Sequence, residues 1–334
     1  MPALAPHPHL GPRDPITVLP RRLPGSVRRT TTLDMLRPDG LDGDLVLRGT
    51  GRDARTGAGG GVEVLDEAGL DVEIDFLAGR EVRAIGSTPD EPGLAGLLGV
   101  RASSGFRRAA VDAAPRHAAA GDLLHQLLDD VPGASLISGY AVSALGRHET
   151  LRPARLDQRA DICAGFRSGG TMMQLVERQG WVPMTVGPAA PDVSAGDPNG
   201  WHALTVLQPT DMRRRRLLDV APDGDRLRVF AWFRDSFGQP DGSETIVHEY
   251  HVDAVVAPGL WRIDDIAAVE HVLPWPECPQ AAGSAGRLVG SPVRELRADV
   301  RAGFVGTTTC THLNDQLRSL TDVPALAAAC VPQN

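Results

Sequence analysis

The sequence predicts an α+β protein: two β-rich repeats, mainly antiparallel sheet, each closed by short helices, with pseudo-twofold symmetry between them. Three observations predict it. Residues 28–53 read RRTTTLDMLRPDGLDGDLVLRGTGRD and residues 213–235 read RRRRLLDVAPDGDRLRVFAWFRD, so a basic pair, an apolar-Asp step, a Pro-Asp-Gly turn, an alternating strand and a terminal Arg-Asp occur twice. Each copy then closes on a Leu-rich helix ending at Asp130-Val131-Pro132 or Asp322-Val323-Pro324. The turns between strands are too short for βαβ crossovers, which makes the strands antiparallel neighbours. The strand-helix-strand rhythm and glycine fingerprint of a dinucleotide fold are missing.

The elements follow in order. Residues 1–26 are rich in Pro and Arg and read as a mobile arm, with room for a strand at Ile16–Leu19. Repeat one covers 27–140 and is expected to be the scaffold half. Asp44–Asp53 alternates as a strand, Gly57–Gly61 is a loop, and Gly61–Leu65 with Leu70–Phe76 reads as the next hairpin, followed by Arg80–Ile85. Leu94–Val100 and Gly121–Asp129 read as short helices, the second with Leu123, Leu124, Leu127 and Leu128 on one face.

A structured connector, 141–211, is expected to complete the core or the cleft, with a hairpin at Thr171–Val176 and Trp181–Val186 and a strand at Ala203–Leu207. Repeat two covers 212–334. It predicts strands at Arg226–Arg234, Thr245–Val256 and Trp261–Glu270, a break at Pro274-Trp275-Pro276, helices near Gln280–Val289 and His312–Leu320, and a connection at Asp299–Gly303. Arginines 213–216 alternate sides on a strand, so they form no single basic patch. A surface edge strand that resists aggregation is the expected role, and a grip on a carboxylate or coenzyme A phosphate the alternative.

Composition excludes several classes. The chain has 334 residues and a net charge of -8, which disfavours nucleic-acid or acidic-membrane partners. No apolar run approaches the roughly 18–20 residues that span a bilayer, and the N-terminus lacks the apolar stretch of a signal peptide, so a cytoplasmic location is expected. All 34 basic residues are arginine. Schiff-base chemistry, covalent pyridoxal phosphate and a P-loop lysine are therefore excluded, and no cofactor is expected. Cys163, Cys278, Cys310 and Cys330 show no paired spacing, which fits reduced thiols and assigns no metal.

The chemistry concentrates in repeat two. In ThrThrThrCysThrHisLeu, residues 307–313, Thr311 or Asn314 could cap the helix that follows, which would set Cys310 and His312 near its positive end. That field favours a thiolate at Cys310 or a neutral imidazole at His312; a small buried cysteine beside a capping turn is the plainer alternative. In IleValHisGluTyrHisValAsp, residues 246–253, His248 and Tyr250 share one strand face, while Glu249, His251 and Asp253 share the other. His248 and Glu249 are candidates for acid/base work, against the alternative of a solvated strand face. Cys278 is expected near Cys310, and Asp264 could supply a carboxylate. Trp232 and Trp261 would line a pocket, with plain core packing the commoner alternative, and His202, in the connector, would reach over it.

Repeat two resembles the bacterial domain of unknown function 2889. The residues that carry this are the early ArgArg, the AspGly turn, HisGlu at 248–249 where the family usually has His-Asp, Pro-x-Cys at 276–278, LeuValGly at 288–290 and GlyThrThrThrCysThrHisLeu at 306–313, with Thr309 where a glycine is usual. The likeness covers about 212–325 well and 27–140 in outline. It implies that His248, Glu249, Cys278, Cys310 and His312 form one site, and it brings no established activity.

The expectation is a small-molecule enzyme of secondary or degradative metabolism. It would use His-based acid/base chemistry of lyase, isomerase or cyclase type on an apolar substrate, aromatic, polyketide- or terpenoid-like, or acyl-CoA. A homodimer is compatible. The alternative is a non-catalytic binding protein for an apolar ligand or a protein partner.

Overall fold

The computed structural model describes residues 5–6, 14–147 and 160–330. Its centre is one antiparallel sheet of eight strands: β2 (Val27–Leu36), β3 (Leu45–Thr56), β4 (Val62–Asp75), β5 (Glu81–Thr88), β7 (Met212–Asp223), β8 (Arg226–Gly238), β9 (Glu244–Ala257) and β10 (Arg262–Val272). The order is β10-β9-β8-β7-β2-β3-β4-β5, so β2 and β7 meet in the middle and each begins a four-strand meander running outwards. Their ladder runs from Val27 opposite Val220 to Met35 opposite Met212. The short strands β1 (Ala5–Pro6) and β6 (Thr185–Val186) pair in parallel beside it.

Alternation decides what each face carries. On β8, Leu227, Val229, Ala231, Phe233 and Asp235 face the helices, while Phe230, Trp232 and Arg234 face the other way. Helices α1 (Phe106–Ala113), α2 (Pro115–Ala120), α3 (Leu123–Ile137) and α4 (Gly139–Ala144) follow the first meander. The second is followed by a 3-10 helix at Cys278–Leu288, α6 (Leu296–Gly303), α7 (Thr311–Ser319) and α8 (Val323–Ala327). Asp122 caps α3 by accepting from the His125 N–H at 3.1 Å, and Leu123, Leu124, Leu127, Leu128 and Val131 are buried. Two apolar clusters, one under each meander, flank a band of charged side chains from β2 and β7.

The connector serves both faces. Its helix α5 (Thr171–Gln179) buries Met172, Met173 and Val176 in the core of the second meander. Residues 192–207 and 16–24 lie over the opposite face, where Leu19, Val193, Trp201, Leu217 and Trp232 form a third apolar cluster.

Several elements differ from the sequence reading. Arginines 213–216 stand on a central strand, not an edge, and all four are buried; carboxylates on neighbouring strands and helices pair closely with Arg213, Arg214 and Arg216. The expected hairpin at 61–76 is the single strand β4, since Asp66 to Gly69 continue the ladder with β3 without a turn. The first arm of the connector's expected hairpin, Thr171–Val176, lies in the helix α5, bounded by Gly170 and Gly180, and of the second arm, Trp181–Val186, only Thr185–Val186 is strand. Neither Ile16–Leu19 nor Ala203–Leu207 forms a strand; both are irregular and lie on the sheet face. Asp299–Gly303 belongs to α6, and the helix expected at 280–289 is 3-10. The arm is packed from residue 14 onwards: the Ile16 N–H donates to Glu249 Oε2 at 3.0 Å. Among the described residues, no helix is long and apolar enough to cross a membrane.

Candidate active site

Where β8 and β9 meet α7, three side chains converge. Asp235 lies opposite His248 in the β8–β9 ladder, immediately before a bulge whose extra residue is Val247. Bulges re-aim side chains, and this one marks where Asp235 and His248 leave the regular pattern. Helix α7 begins after Cys310 and brings His312 in its first turn over the same spot. The rings of His248 and His312 stack, with centroids 3.7 Å apart and planes 21° apart. His248 Nδ1 is 3.8 Å and His312 Nε2 3.9 Å from Asp235 Oδ2. On the other side of its ring, His312 Nδ1 is 3.9 Å from Cys310 Sγ. Phe233 stacks parallel to His312 at 6.3 Å, and Tyr250 stacks on Phe233 at 6.0 Å.

Arginines hold the carboxylate in place. Arg214 donates from Nε and Nη2 to both oxygens of Asp235, at 2.8 and 2.9 Å. Its Nη1 lies 3.4 Å from Asp130 and 3.6 Å from Asp315. Arg216 grips Asp130, with contacts of 2.7 Å, and donates to Gln316 Oε1 at 2.6 Å. Arg107 pairs with Asp315 at 2.7 Å, and Arg318 with Asp129 at 2.8 Å. The four arginines thus meet Asp129, Asp130, Asp235 and Asp315, so the network closes near neutrality. Burial works against the Arg214 charge, but Asp235, Asp130 and Asp315 outweigh it and raise its pKa. Asp130, equally buried, is held below the usual carboxylate range by Arg216 and Arg214. The approach is close: a Cβ on Gly133 of α3 would lie 2.4 Å from Arg214 Nη1, so a larger residue there would force the guanidinium or the helix to shift.

The same burial sets the proton affinities. His312 is pushed down to about 3, first by burial and then by Arg214 and Arg216, so it is neutral at physiological pH. This agrees with the neutral imidazole expected there, although burial and arginines do the work. Cys310 goes the other way: burial pushes its thiol up to about 11, outweighing hydrogen bonds from the Leu313 and His312 N–H groups at the helix start. Burial therefore works against the expected thiolate. Cys278 and Tyr250 are also raised by burial and by neighbouring thiols, so Cys163, Cys278, Cys310 and Tyr250 form a protonated, nonionic wall.

The remaining sequence candidates lie elsewhere. Glu249 and Trp232 are buried on the opposite sheet face, where Glu249 accepts from Trp232 Nε1 at 2.9 Å and from Arg234 at 2.9 and 2.7 Å. A strand puts neighbours on opposite faces, so His248 and Glu249 cannot share one site. His202 is on that far face too, between the hydroxyls of Thr30 at 2.9 Å and Thr32 at 2.7 Å. Asp264 is half-exposed and paired with Arg226 at 2.5 Å. Trp261 sits in a turn with φ of 50° and lies under the guanidinium of Arg294. Asp235, Arg214 and Arg216 are the residues the sequence reading passed over. Their signal was present in the terminal Arg-Asp of the duplicated pattern and the arginine run, both of which read as scaffold.

A divalent cation is the other ligand this geometry invites. Asp235, His248 and His312 each offer a ligand atom, all within 4.8 Å of one another. Tetrahedral zinc, with bonds of about 2.0–2.1 Å, needs ligand atoms roughly 3.3–3.5 Å apart, so a small closure would suffice.

The residues match one known family. Residues 212–326 match the family model described as Protein of unknown function (DUF2889). That stretch runs from β7 into α8 and carries Arg214, Arg216, Asp235, His248, Cys310 and His312, while Asp130 and Arg107 lie outside it. The match does not extend to residues 27–140. No curated protein and no solved structure matches the chain.

Proposed function

We propose that this chain is a small-molecule enzyme whose centre is Asp235, His248 and His312. The observation that carries the reading is the convergence of two histidines, one neutral, on a carboxylate clamped by Arg214. His248, oriented by Asp235, moves the proton. Neutral His312 offers a hydrogen bond without carrying charge, a way of polarising a carbonyl. Phe233 and Tyr250 give an aromatic surround, which suits an apolar or aromatic substrate. Redox-neutral proton transfers of lyase, isomerase or cyclase type fit these groups. A metal is the weaker reading, because a dication would add two charges to a buried network already near neutrality, at several kcal/mol per uncompensated ion.

We also read the two meanders as copies of one ancestral unit related by a pseudo-twofold axis between β2 and β7. Reciprocal ion pairs support this. Arg28 grips Asp219 as Arg213 grips Asp34, and Arg29 grips Asp53 as Arg214 grips Asp235. Arg29 also reaches Asp322, as Arg214 reaches Asp130. Asp53 faces Asp66 just before a bulge, as Asp235 faces His248. On this reading Asp66 and a helix-end alanine stand where repeat two has His248 and His312, so the first half kept the clamp and lost the histidines.

The test is a panel of aromatic acids, polyketide-like lactones and acyl-CoA thioesters incubated with the protein and followed by mass spectrometry. Turnover of one compound, lost in both His248→Ala and His312→Ala with folding intact and unaffected by chelator, is expected. Full activity in both variants would end the reading, and activity abolished by chelator and restored by zinc would replace it with the metal one.

A further inference from the structure

The opposite face of the sheet holds a second polar site. A cavity of about 620 Å³ opens there, with Arg52, Arg213, Arg215, Trp201 and His202 among its lining residues. Arg213 is satisfied by Asp34 at 2.6 and 2.7 Å and by the Thr205 carbonyl at 2.8 Å. Arg215 is not. It is only 7% exposed, and its Nε has no hydrogen-bond partner among the described residues. Its nearest carboxylate contact is Glu244 Oε1 at 3.8 Å, an oxygen already accepting from Ser236 Oγ at 2.5 Å. The Asp192 carboxylate, also on the lining, is taken up by the N–H and hydroxyl of Ser194 at 2.9 and 2.6 Å. Arg52 donates Nη2 to the Asn199 carbonyl at 2.8 Å, but its Nε is buried without a partner, and so is Trp201 Nε1.

Three lining residues therefore each keep a buried N–H with no acceptor. An arginine cannot shed its charge to relieve this, and native proteins rarely leave buried donors unmet. The rest of the wall includes Pro198, Leu204, Val206 and Leu207, so the space has an apolar side as well as a cationic one. Burial lowers the Arg215 pKa to about 10, against the pull of Glu244 and Asp192, and Arg213 and Arg234 push in the same direction as burial.

We propose that this cavity binds a small organic oxyanion, a carboxylate or a phosphate ester, paired with the guanidinium groups of Arg215 and Arg52 on its lining while its apolar body lies on Leu204 and Leu207. Guanidinium forks match both oxyanions bidentately. The site is separate from the Asp235 centre, which lies across the sheet, and the proposal does not depend on it.

Sodium hexanoate and inorganic phosphate, each titrated at constant ionic strength against sodium chloride, test it through the thermal midpoint and tryptophan fluorescence. A saturable rise in midpoint with one anion and not with chloride is expected. Hexanoate alone points to a carboxylate, phosphate alone to a phosphate ester. Binding should weaken at least tenfold in Arg215→Gln. Arg52→Gln, at a half-buried position, gives the same reading should the first variant fold poorly, and there the loss should be at least threefold. A response no different from chloride, or one unchanged in the variants that fold, overturns the proposal.

Discussion

Arg214 holds both oxygens of Asp235 in a place that water does not reach, the two side chains being 1% and 0% exposed. Everything else in the candidate centre is arranged around this pair. It fixes the carboxylate that faces His248 and His312, and it ties the second meander to Asp130 on the helix of the first.

Removing Asp235 should therefore be costly. Asp235→Ala leaves the Arg214 charge buried and short of its main partner, and losing one member of such a pair typically costs about 3–5 kcal/mol. Urea unfolding should show the loss as a lower midpoint. A midpoint within error of the parent would mean that Asp130 and Asp315 alone neutralise Arg214.

Stability should fall with acid in a window set by histidines. His202 and His312 are both pushed down to about 3 by burial first and then by arginines. In the unfolded chain each returns to about 6.5, so between roughly pH 6.5 and 3 the unfolded state binds more protons. Their contribution is complete above about pH 6.5 and drains away as the pH drops, by up to about 1.4 kcal/mol per pH unit for each group. Denaturant midpoints of the parent and of His202→Gln between pH 7 and 4.5 should differ in slope by one group. Parallel slopes would show that His202 is protonated in the fold.

The thiols should be slow to react. Burial pushes Cys310 and Cys330 up to about 11, and Cys163 and Cys278 are raised as well. At pH 8 the folded protein should be alkylated by iodoacetamide far more slowly than a free thiol, with all four sites labelled once denatured. Mass spectrometry of the peptides reads this directly. Rapid labelling of Cys310 in the folded state would restore the thiolate expected from its place at a helix start.

Gly133→Ala probes the network from its backbone side. The added methyl would lie 2.4 Å from Arg214 Nη1 and 2.9 Å from Asp315 Oδ2, so the clamp or the helix must move. Overpacking of this kind costs about 1–3 kcal/mol. The thermal midpoint should drop and the histidine NMR signals of His248 and His312 should shift. An unchanged midpoint would show that α3 yields freely after Pro132.

Much of the architecture was legible because strand alternation and turn chemistry are local. The placements of β3, β8, β9 and β10 follow from period-two patterning, and His248 with Tyr250 on one face and Glu249 on the other follow from the same rule. Connector elements were misread where patterns were short. Thr171–Gln179 carries two adjacent methionines that suit strand or helix, and only packing against the second core cluster selects the helix. The arginine run was misjudged because unpaired charge reads as surface, and its partners come from far along the chain, Asp34 being 179 residues from Arg213 and Asp130 86 from Arg216.

By itself, the sequence determined the antiparallel α+β class, the face on which each strand residue stands, and the CysThrHis helix start that carries His312. The tertiary structure alone decided that β7 is central, that Asp235 meets His248 and His312, and that Glu249 and His202 belong to the other side of the sheet. The reason is physical. A side chain's direction follows from the backbone within a few residues, whereas its partner follows from which distant carboxylate or arginine is brought close enough to offset the cost of burying charge.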